Sequence, residues 1–432
     1  MIGAEVYLWG TRIGAVVQDA PIDIPRFNYD SAFLSSGIEL SPIVMPLSDR
    51  VYSFPTLSQG TFHGLPGMLA DSLPDKFGTK LIERYLTEQG RAPESFSVVE
   101  RLCYVGSRGM GALEYVPAME LSSPDGAINI EALVKLASDV LTEKRSEHWD
   151  SEQNAIQQLI QVGTSAGGAR AKAIIAWNEA TGEVRSGQID AGSGFQYWLM
   201  KFDGVENNRD HDQKADGPAY TRIEYAYYLM AKEAGITMAP CRLYQDQGHY
   251  HFLTRRFDRD PETRDKLHMQ SLGALAHFDF NMPGAHGYEQ AAKVIYQLGM
   301  GQNAAEQLFR RMVFGILARN HDDHVKNISF LMDRNGAWSL SPAYDVTYAY
   351  DPGNYWLARH QMSVNGKLEQ FTLGDLLACA RHFNLSKPQV LRIVNDIDQA
   401  LLRFPSFAKE AHLSDPVIQK VTPNFIKADA LE

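Results

Sequence analysis

Cysteine is scarce in this sequence. Cys103, Cys241 and Cys379 are the only three among 432 residues, and none of them is part of a C-x-x-C pair. An odd number of widely separated cysteines argues against a disulfide framework and against a structural zinc site. We therefore expect the chain to fold in a reducing compartment.

The sequence also lacks an excess of positive charge and long apolar runs. Its 41 basic and 52 acidic residues give a formal net charge of −11, which argues against a protein that coats nucleic acid through its overall charge. No stretch approaches the roughly 20 apolar residues of a membrane span. No basic segment at the start leads into an apolar run. These features predict a soluble cytoplasmic protein without a membrane partner.

The remaining composition is that of a globular protein. Apolar residues make up 44% and charged residues 22% of the chain, which is long enough for two or three packed units. Strand patterns occupy residues 6–17 and 195–202. Helical periodicity dominates later, over residues 304–319 and in helices that begin at Thr372 and Ser386. The first part is therefore expected to be rich in strands and the second part mainly helical.

A glycine-rich stretch, residues 163–172, precedes an apolar strand pattern at 173–177. Closely spaced glycines let backbone N–H groups surround phosphate oxygens, so this stretch is a candidate phosphate-binding loop. It is not a Walker A loop, because Ala169 and not lysine follows Gly168. A flexible hairpin tip is the alternative interpretation.

Lys201 closes an apolar, aromatic strand pattern. A lysine in this position is commonly a solvated strand end. In kinases a lysine on a strand neutralises the ATP phosphates, and the next helix supplies the glutamate that pairs with this lysine. Glu224 is the candidate for that partner.

The most informative motif is Asp322 followed by four residues and then Asn327. Protein kinases use this spacing in their catalytic loop, where the aspartate accepts the substrate hydroxyl proton and the asparagine holds a magnesium ion. As the alternative, Asp322 and Asp323 would cap a helix end or line a polar turn. The polar residues of this motif lie between apolar segments. Placing so many of them near a core costs folding free energy unless they have a function. This cost favours a catalytic function.

Asp345 follows this motif after a predicted hairpin. Residues 328–331 and 338–340 have the pattern of strands, and Asn335-Gly336 between them is typical of a tight turn. A kinase needs the same order: base, first metal ligand, hairpin, and a second carboxylate that brings magnesium onto the phosphates.

Together these segments resemble the HipA family of bacterial serine/threonine kinases, the toxins of type II toxin–antitoxin pairs. The resemblance covers most of the chain, and its motifs occur in the family's order. They are Gly64-Leu65-Pro66 to Leu73-Pro74-Asp75, Arg108 to Leu113, Ser165 to Lys172, Arg256 to Arg259, Asp322 to Asn327, and Tyr344-Asp345.

The resemblance implies an ATP-dependent protein serine/threonine kinase with Mg²⁺ as cofactor. Asp322 would be the catalytic base, and Asn327 and Asp345 would bind magnesium. Lys201 would contact the ATP phosphates. The other nucleotide-binding residues implied are Ala166, Gly167, Gly168, Ala169, Arg170 and Lys172 in the loop, Arg255, Phe257 and Asp258 at a hinge that meets adenine and ribose, and His324 and Lys326.

The resemblance also implies self-regulation and partners. Ser165, or the adjacent Thr164, would be autophosphorylated, which adds about −1.5 to −2 charges to the loop and would expel it by repulsion. The substrate would be a protein, and relatives are thought to target aminoacyl-tRNA synthetases. A HipB-like helix-turn-helix antitoxin would be a partner, with DNA contacted only through it. Ala171 stands where many relatives have proline.

The expected fold is α+β and two-lobed, like a protein kinase, with a β-rich N-lobe and a mainly helical C-lobe. The predicted domains are an N-terminal subdomain at 1–118, the remainder of the N-lobe at 119–255, and the C-lobe at 256–432.

Two other functions stay open. His321-Asp322 and Asp323-His324 are metal-ligand pairs of the kind found in HD-type phosphohydrolases. Such sites recruit further histidines from neighbouring helices, whereas here a hairpin and Asp345 follow. The third possibility is a catalytically quiet scaffold that holds the antitoxin, although the full set of polar residues argues against it.

Overall fold

The computed structural model divides the chain into two units. Unit 1 contains residues 1–218 and 244–269, and unit 2 contains residues 219–243 and 270–432. The structure describes residues 1–118, 128–142, 170–188, 191–205, 219–260, 263 and 265–431. The loop residues Thr164, Ser165, Ala166, Gly167, Gly168 and Ala169 lie outside this described part.

Unit 1 begins with a four-stranded antiparallel sheet. Its strands are β1 (Ile2–Leu8), β2 (Thr11–Gln18), β3 (Arg26–Tyr29) and β4 (Leu113–Val116). They lie in the order β3-β2-β1-β4. Trp9 and Gly10 both have positive φ, 51° and 81°, and they close β1 and β2 as a two-residue hairpin.

The helices of unit 1 connect this sheet to a second one. They are α1 (Ser31–Leu34), α2 (Gln59–Phe62), α3 (Gly67–Ala70), α4 (Lys76–Glu88), α5 (Val98–Val105) and α6 (Ile130–Thr142). Asp75 is the N-cap of α4, and its carboxylate accepts a hydrogen bond from the backbone N of Gly78 at 2.6 Å. Ser97 and Glu100 form a capping box at the start of α5.

The second sheet of unit 1 has five strands. They are β5 (Lys172–Trp177), β6 (Val184–Ser186), β7 (Gln196–Lys201), β8 (Cys241–Asp246) and β9 (His249–Arg255), in the order β6-β5-β7-β9-β8. The sheet packs with α4 and α6 in one apolar core that includes Phe77, Leu133 and Trp198. This core therefore joins the segments predicted as separate domains at 1–118 and 119–255.

Unit 2 is mainly helical. Its helices are α7 (Tyr220–Glu233), α8 (Leu272–Ala276), α9 (Tyr288–Gln297), α10 (Gln302–Leu317), α11 (Leu373–Ala380), α12 (Lys387–Leu402), α13 (Phe404–Glu410) and α14 (Asp415–Val421). Thr372 and Ser386 are the N-caps of α11 and α12, which confirms the predicted helix starts.

A three-stranded sheet accompanies these helices. It consists of β10 (His268–Ser271), which crosses the boundary between the units, β11 (Ser329–Met332) and β12 (Trp338–Leu340), in that order. Strands β11 and β12 are the predicted hairpin. The Asp333 carboxylate accepts hydrogen bonds from the backbone N of Asn335 and of Ala337, both at 2.9 Å, so it shapes the turn together with Gly336.

The predicted α+β, two-lobed class is confirmed, with a sheet-rich unit 1 and a helical unit 2. The boundary differs from the one expected at residue 255. Residues 256–269 stay with unit 1, and α7 belongs to unit 2. The reason is visible at Tyr227 of α7, which is fully buried between the rings of Phe314, Phe404 and Phe425 and donates to the backbone oxygen of Ala318 at 2.6 Å.

Two expectations from composition can be compared with the structure. Cys103, Cys241 and Cys379 are free and buried. Within the described ranges, the structure has no helix with the length and apolar character needed to cross a bilayer.

Candidate active site

The segment that carries the D-x4-N motif follows α10 in unit 2. Arg319 adopts a left-handed φ of 59°, and the backbone N of Asn320 bonds to the oxygen of Gly315, which closes the helix end. The motif ends in a single 3₁₀ turn, Val325–Asn327. The helix end and this turn fix the backbone on both sides of Asp322.

Asp322 and Asn327 are in direct contact. The side-chain Nδ2 of Asn327 donates to the backbone oxygen of Asp322 at 2.8 Å. The Asp322 carboxylate is 20% exposed, and its Oδ1 accepts a hydrogen bond from Nε2 of Gln361 at 2.9 Å. The motif therefore presents one partly exposed, oriented carboxylate at its start and one fixed amide at its end.

Asp323 is buried and has a structural function. Its Oδ2 accepts from the Tyr288 hydroxyl at 3.1 Å and contacts Nδ1 of His360 at 3.0 Å, and its Oδ1 accepts from the backbone N of Gln361 at 2.8 Å. Burial acts to raise the pKa of Asp323, but the His360 ring and these hydrogen bonds hold it below its usual value. Both oxygens are committed within the protein, so Asp323 anchors the loop.

His321 is a packed, neutral side chain. Its Nδ1 contacts the backbone oxygen of Leu357 at 3.0 Å, and its ring lies 4.3 Å from that of His360 and 4.9 Å from that of Tyr350. Burial lowers the pKa of His321 to about 3. Both oxygens of Asp323 are engaged within the protein, and the described residues contain no cluster of three or more His, Cys, Asp or Glu suited to a metal ion, so the structure gives no support to the HD-type phosphohydrolase interpretation.

His324 lies beside Asp322. Its Nδ1 accepts a hydrogen bond from the backbone N of Lys326 at 3.3 Å, which places the ring proton on Nε2. Nε2 is 3.8 Å from Oδ1 of Asp322. Lys326 itself extends over the Phe280 ring, with Nζ 5.0 Å from the ring centre. His324 thus faces the candidate base, whereas the contact seen for Lys326 is with an aromatic ring.

Asp345 is held in an unusual backbone conformation. Its φ is 54°, in the left-handed region that few residues other than glycine adopt. The preceding Tyr344 donates its hydroxyl proton to the backbone oxygen of Lys326 at 2.6 Å and lies 2.5 Å from the Ser329 hydroxyl. Tyr344 therefore ties Asp345 to the end of the motif and to the start of β11.

Four predicted residues of unit 2 share one cavity of about 50 Å³, whereas Lys326 is not among its lining residues. Asp322, His324, Asn327 and Asp345 are among its lining residues. Amide and carboxylate oxygens are the ligands that Mg²⁺ prefers, and Asn327 directs its nitrogen at a carbonyl, which leaves its oxygen for a cation. The donor set fits magnesium. In the described part of the chain there is no cluster of three or more His, Cys, Asp or Glu suited to a metal ion.

Lys172 has a different partner from the one expected. Its ammonium is 3.0 Å from the Asp75 carboxylate, and the two side chains are 2% and 5% exposed. This buried pair links the start of β5 to the start of α4, and the contact of Lys172 with ATP stays a prediction. Lys201 is also predicted to contact the ATP phosphates. It is the last residue of β7, is 7% exposed, and lies opposite Lys172 in the sheet.

Asp258 is likewise part of a buried ion cluster in unit 1. Its carboxylate bonds to Nε and Nη2 of Arg256 at 2.9 and 2.6 Å, to Nη1 of Arg259 at 2.9 Å, and to the backbone N of Gly111 at 2.7 Å. Burial acts to raise the pKa of Asp258, but the two arginines hold it well below its usual range. Asp258 has no exposed surface and supports the hinge backbone, and its place near the ribose stays a prediction.

The other predicted residues of unit 1 lie near this cluster or next to the loop. Arg255 ends β9, and both Arg255 and Phe257 are half-buried. Arg170 is the first described residue after the glycine-rich loop and is also half-buried.

Sequence reasoning missed the residues that hold the aspartates. Tyr288 comes from α9, and His360 and Gln361 come from a segment after Asp345. They lie 35 to 39 positions along the sequence from the aspartates that they contact. The only available signal was the polar run Arg359-His360-Gln361 between apolar residues. That run does not reveal which residues it meets.

Comparisons with known proteins identify the family of the chain. A family model described as the HipA-like C-terminal domain matches residues 164–403, more than half of the chain, and one for the HipA N-terminal domain matches residues 4–116. A putative kinase of Haemophilus influenzae is 25% identical over 279 residues, which is 55% of this chain and 80% of that protein.

A solved structure shares the fold. A chain of the Shewanella oneidensis MR-1 HipA, HipB and operator DNA complex matches over 97% of this chain and 94% of its own length, with a TM-score of 0.64 and 17% identity. With both family models matched, the chain belongs to the HipA family of kinases.

Proposed function

We propose that this protein is an ATP-dependent serine/threonine kinase of the HipA toxin type that transfers a phosphoryl group to a hydroxyl of another protein. The observation that carries the proposal is the convergence of Asp322, Asn327 and Asp345 on one cavity. An oriented carboxylate next to two oxygen ligands is what phosphoryl transfer requires, because positioning and charge compensation supply most of its catalysis.

In this proposal each side chain of unit 2 has a separate task. Asp322 orients the substrate hydroxyl and accepts its proton. The Nε2–H of His324 faces the same carboxylate oxygen that Gln361 holds. Asn327 and Asp345 would hold Mg²⁺, which when bound offsets negative charge on the ATP phosphates.

Unit 1 would contribute the contacts to the nucleotide. By family resemblance these are Lys201 and Arg170 at the phosphates and the backbone at Arg255 and Phe257 at adenine. Ser165 or Thr164 in the glycine-rich loop would be the site of autophosphorylation.

The partners are proposed on the same basis. The similar Shewanella structure is a complex of HipA with HipB and operator DNA, which supports a HipB-like antitoxin for this chain. By family resemblance, DNA would be contacted only through that antitoxin. The substrate would be a cytoplasmic protein of the host, and an aminoacyl-tRNA synthetase is the first one to test.

The proposal is tested with purified wild-type protein and Asp322→Asn, each incubated with labelled ATP and Mg²⁺ and then mapped by phosphosite mass spectrometry. We expect label on Ser165 or Thr164 in the wild type only, with a rate loss of about 10²- to 10⁴-fold in the variant. Asp49→Asn, an exposed aspartate of unit 1, is the control and should be labelled normally. Equal labelling of wild type and Asp322→Asn would refute the assignment, and an unlabelled wild type would favour the quiet scaffold.

A further inference from the structure

Gln361 contacts both aspartates of the catalytic segment. Its Nε2 donates to Oδ1 of Asp322 at 2.9 Å, and its backbone N donates to Oδ1 of Asp323 at 2.8 Å. The backbone oxygen of Gln361 accepts from the backbone N of Gly284 at 2.8 Å. The residue is 4% exposed. Its main chain is thus bonded on both sides, while its side chain reaches the candidate base.

The orientation of this side-chain amide is fixed by its surroundings. Nε2 is the atom that faces the Asp322 carboxylate, since a rotated amide would place two oxygens against each other. Its Oε1 is buried and has no hydrogen-bond partner within the described residues. A buried amide with an unsatisfied oxygen costs folding free energy. A glutamine is therefore a poor choice for packing alone at this position, and its benefit lies at Asp322.

We infer that Gln361 is a positioning residue, which holds the Asp322 carboxylate in the orientation for accepting the substrate's proton. The inference rests on the kinase function proposed above. Gln361 itself touches no reacting atom. The hydrogen bond to Oδ1 restricts rotation of the carboxylate, and the anchored Asp323 keeps the backbone of the pair in place.

Two variants separate positioning from folding. Gln361→Met keeps the length and packing of the side chain but removes the donor. Gln361→Glu keeps the shape but sets a second carboxyl against Asp322, where two carboxyl groups tend to share one proton. The matched control is Gln18→Met in unit 1. Gln18 is 2% exposed, its Oε1 also has no partner among the described residues, and its Nε2 donates to the backbone oxygens of Pro21 and Asp23.

The readouts are the kcat for phosphoryl transfer, the dissociation constant for ATP with Mg²⁺, and the pH profile. For Gln361→Met we expect kcat to fall roughly 10- to 100-fold while ATP affinity stays within about twofold. For Gln361→Glu we expect the rate to recover relative to wild type as the pH is lowered, because the protonated carboxyl again donates to Asp322. Gln18→Met should change neither kcat nor the pH profile.

The inference is overturned if Gln361→Met retains kcat within about twofold, or if kcat and ATP affinity fall together as they would after a general loss of structure. If the wild type transfers no more phosphate than Asp322→Asn, the proposed function fails instead. Crystal structures of the wild type and Gln361→Met then decide the positioning separately: a rotated Asp322 carboxylate supports it, and an unmoved one contradicts it.

Discussion

The side-chain amide of Asn327 donates to the backbone oxygen of Asp322, with Nδ2 2.8 Å from that oxygen. This contact links the two ends of the D-x4-N motif, and it directs the amide oxygen of Asn327 away from the carbonyl. Asn327 therefore braces the D-x4-N segment, and in the proposed function it would also supply a cation ligand.

Replacing Asn327 by leucine should remove both functions. We expect Asn327→Leu to raise the Mg²⁺ concentration needed for half-maximal phosphoryl transfer by about 10-fold or more, because a ligand and its support are lost together. Asn327→Asp keeps an oxygen ligand but sets a carboxylate against the Asp322 carbonyl. The Mg²⁺ concentration that it needs for half-maximal transfer should therefore rise less than that of Asn327→Leu. Magnesium titrations of the rate measure both effects, and an unchanged titration for Asn327→Leu would exclude Asn327 as a ligand.

The buried ion pair of Lys172 and Asp75 should stabilise unit 1. We expect Lys172→Met to lower the free energy of unfolding by about 3–5 kcal/mol, because it leaves Asp75 charged and buried without its partner. Adding Asp75→Asn should cost less than the sum of the two single changes. Urea unfolding followed by tryptophan fluorescence measures these values.

The control for this pair is Arg26→Met. Arg26 pairs with Asp19 at 2.6 Å, but both side chains are about half exposed, at 45% and 50%, so the loss should be small. If Lys172→Met instead leaves stability intact and weakens ATP binding, the predicted contact of Lys172 with the nucleotide is supported and the stabilising function of the pair is contradicted.

The sequence predicted the elements better than it predicted the partners of charged residues. Strand alternation, helix caps and the D-x4-N spacing are local patterns, and the structure has the hairpin β11–β12 and the helices after Thr372 and Ser386 where they were expected. Lys172 and Asp75 lie 97 positions apart. No local pattern specifies that such a lysine ends in a buried pair, since packing of the whole unit decides it.

The same limit applies to the site. Asp322, Asn327 and Asp345, which line one cavity, could be predicted as a group because the proposed chemistry requires them in this order and spacing. Gln361 and Tyr288 could not, because each only needs to reach the loop from whichever element packs beside it. Helix α7 lies within the segment predicted as the first lobe, and in the structure it groups with unit 2, where Tyr227 packs among aromatic rings.

Asp258 should make the stability of unit 1 depend on pH in the acid range. Its folded pKa lies well below the unfolded value of about 3.9. Its charge therefore stabilises the fold at neutral pH, and this stabilisation is lost as the pH falls below about 4. We expect Asp258→Asn to lower the free energy of unfolding by about 3 kcal/mol or more at pH near 7. The difference in this free energy between wild type and variant should become smaller in acid. The free energies of unfolding of wild type and variant, measured near pH 7 and in acid, check this prediction. A difference between the two proteins that grows in acid would contradict it.

His321 should give a second, separate pH dependence. Its folded pKa is about 3, and the unfolded value is about 6.5, so the folded chain keeps His321 neutral while the unfolded chain binds a proton. Stability should therefore fall as the pH is lowered from about 6.5, by up to roughly 1.4 kcal/mol per pH unit for this residue.

The variant His321→Phe tests this dependence. It should lower the proton uptake on unfolding near pH 5 by about one proton relative to wild type. Tyr350→Phe alters a ring 4.9 Å from His321 without removing an imidazole, and it should leave the uptake unchanged. Equal proton uptake by wild type and His321→Phe would show that His321 is protonated in the folded protein.

Gly111 should tolerate a side chain far less well than Gly10, although both have positive φ, +76° and +81°. A Cβ on Gly111 would lie 3.0 Å from the backbone N of Met269 and 3.3 Å from its Cβ, whereas a Cβ on Gly10 would meet nothing within 4 Å. Either alanine costs about 1 kcal/mol for the left-handed backbone. Gly111→Ala must also shift residue 269 or move its own N–H away from the Asp258 carboxylate. We therefore expect Gly111→Ala to lose at least about 1–2 kcal/mol more than Gly10→Ala in urea unfolding. Equal losses would mean that the turn at Gly111 gives way without disturbing the ion cluster.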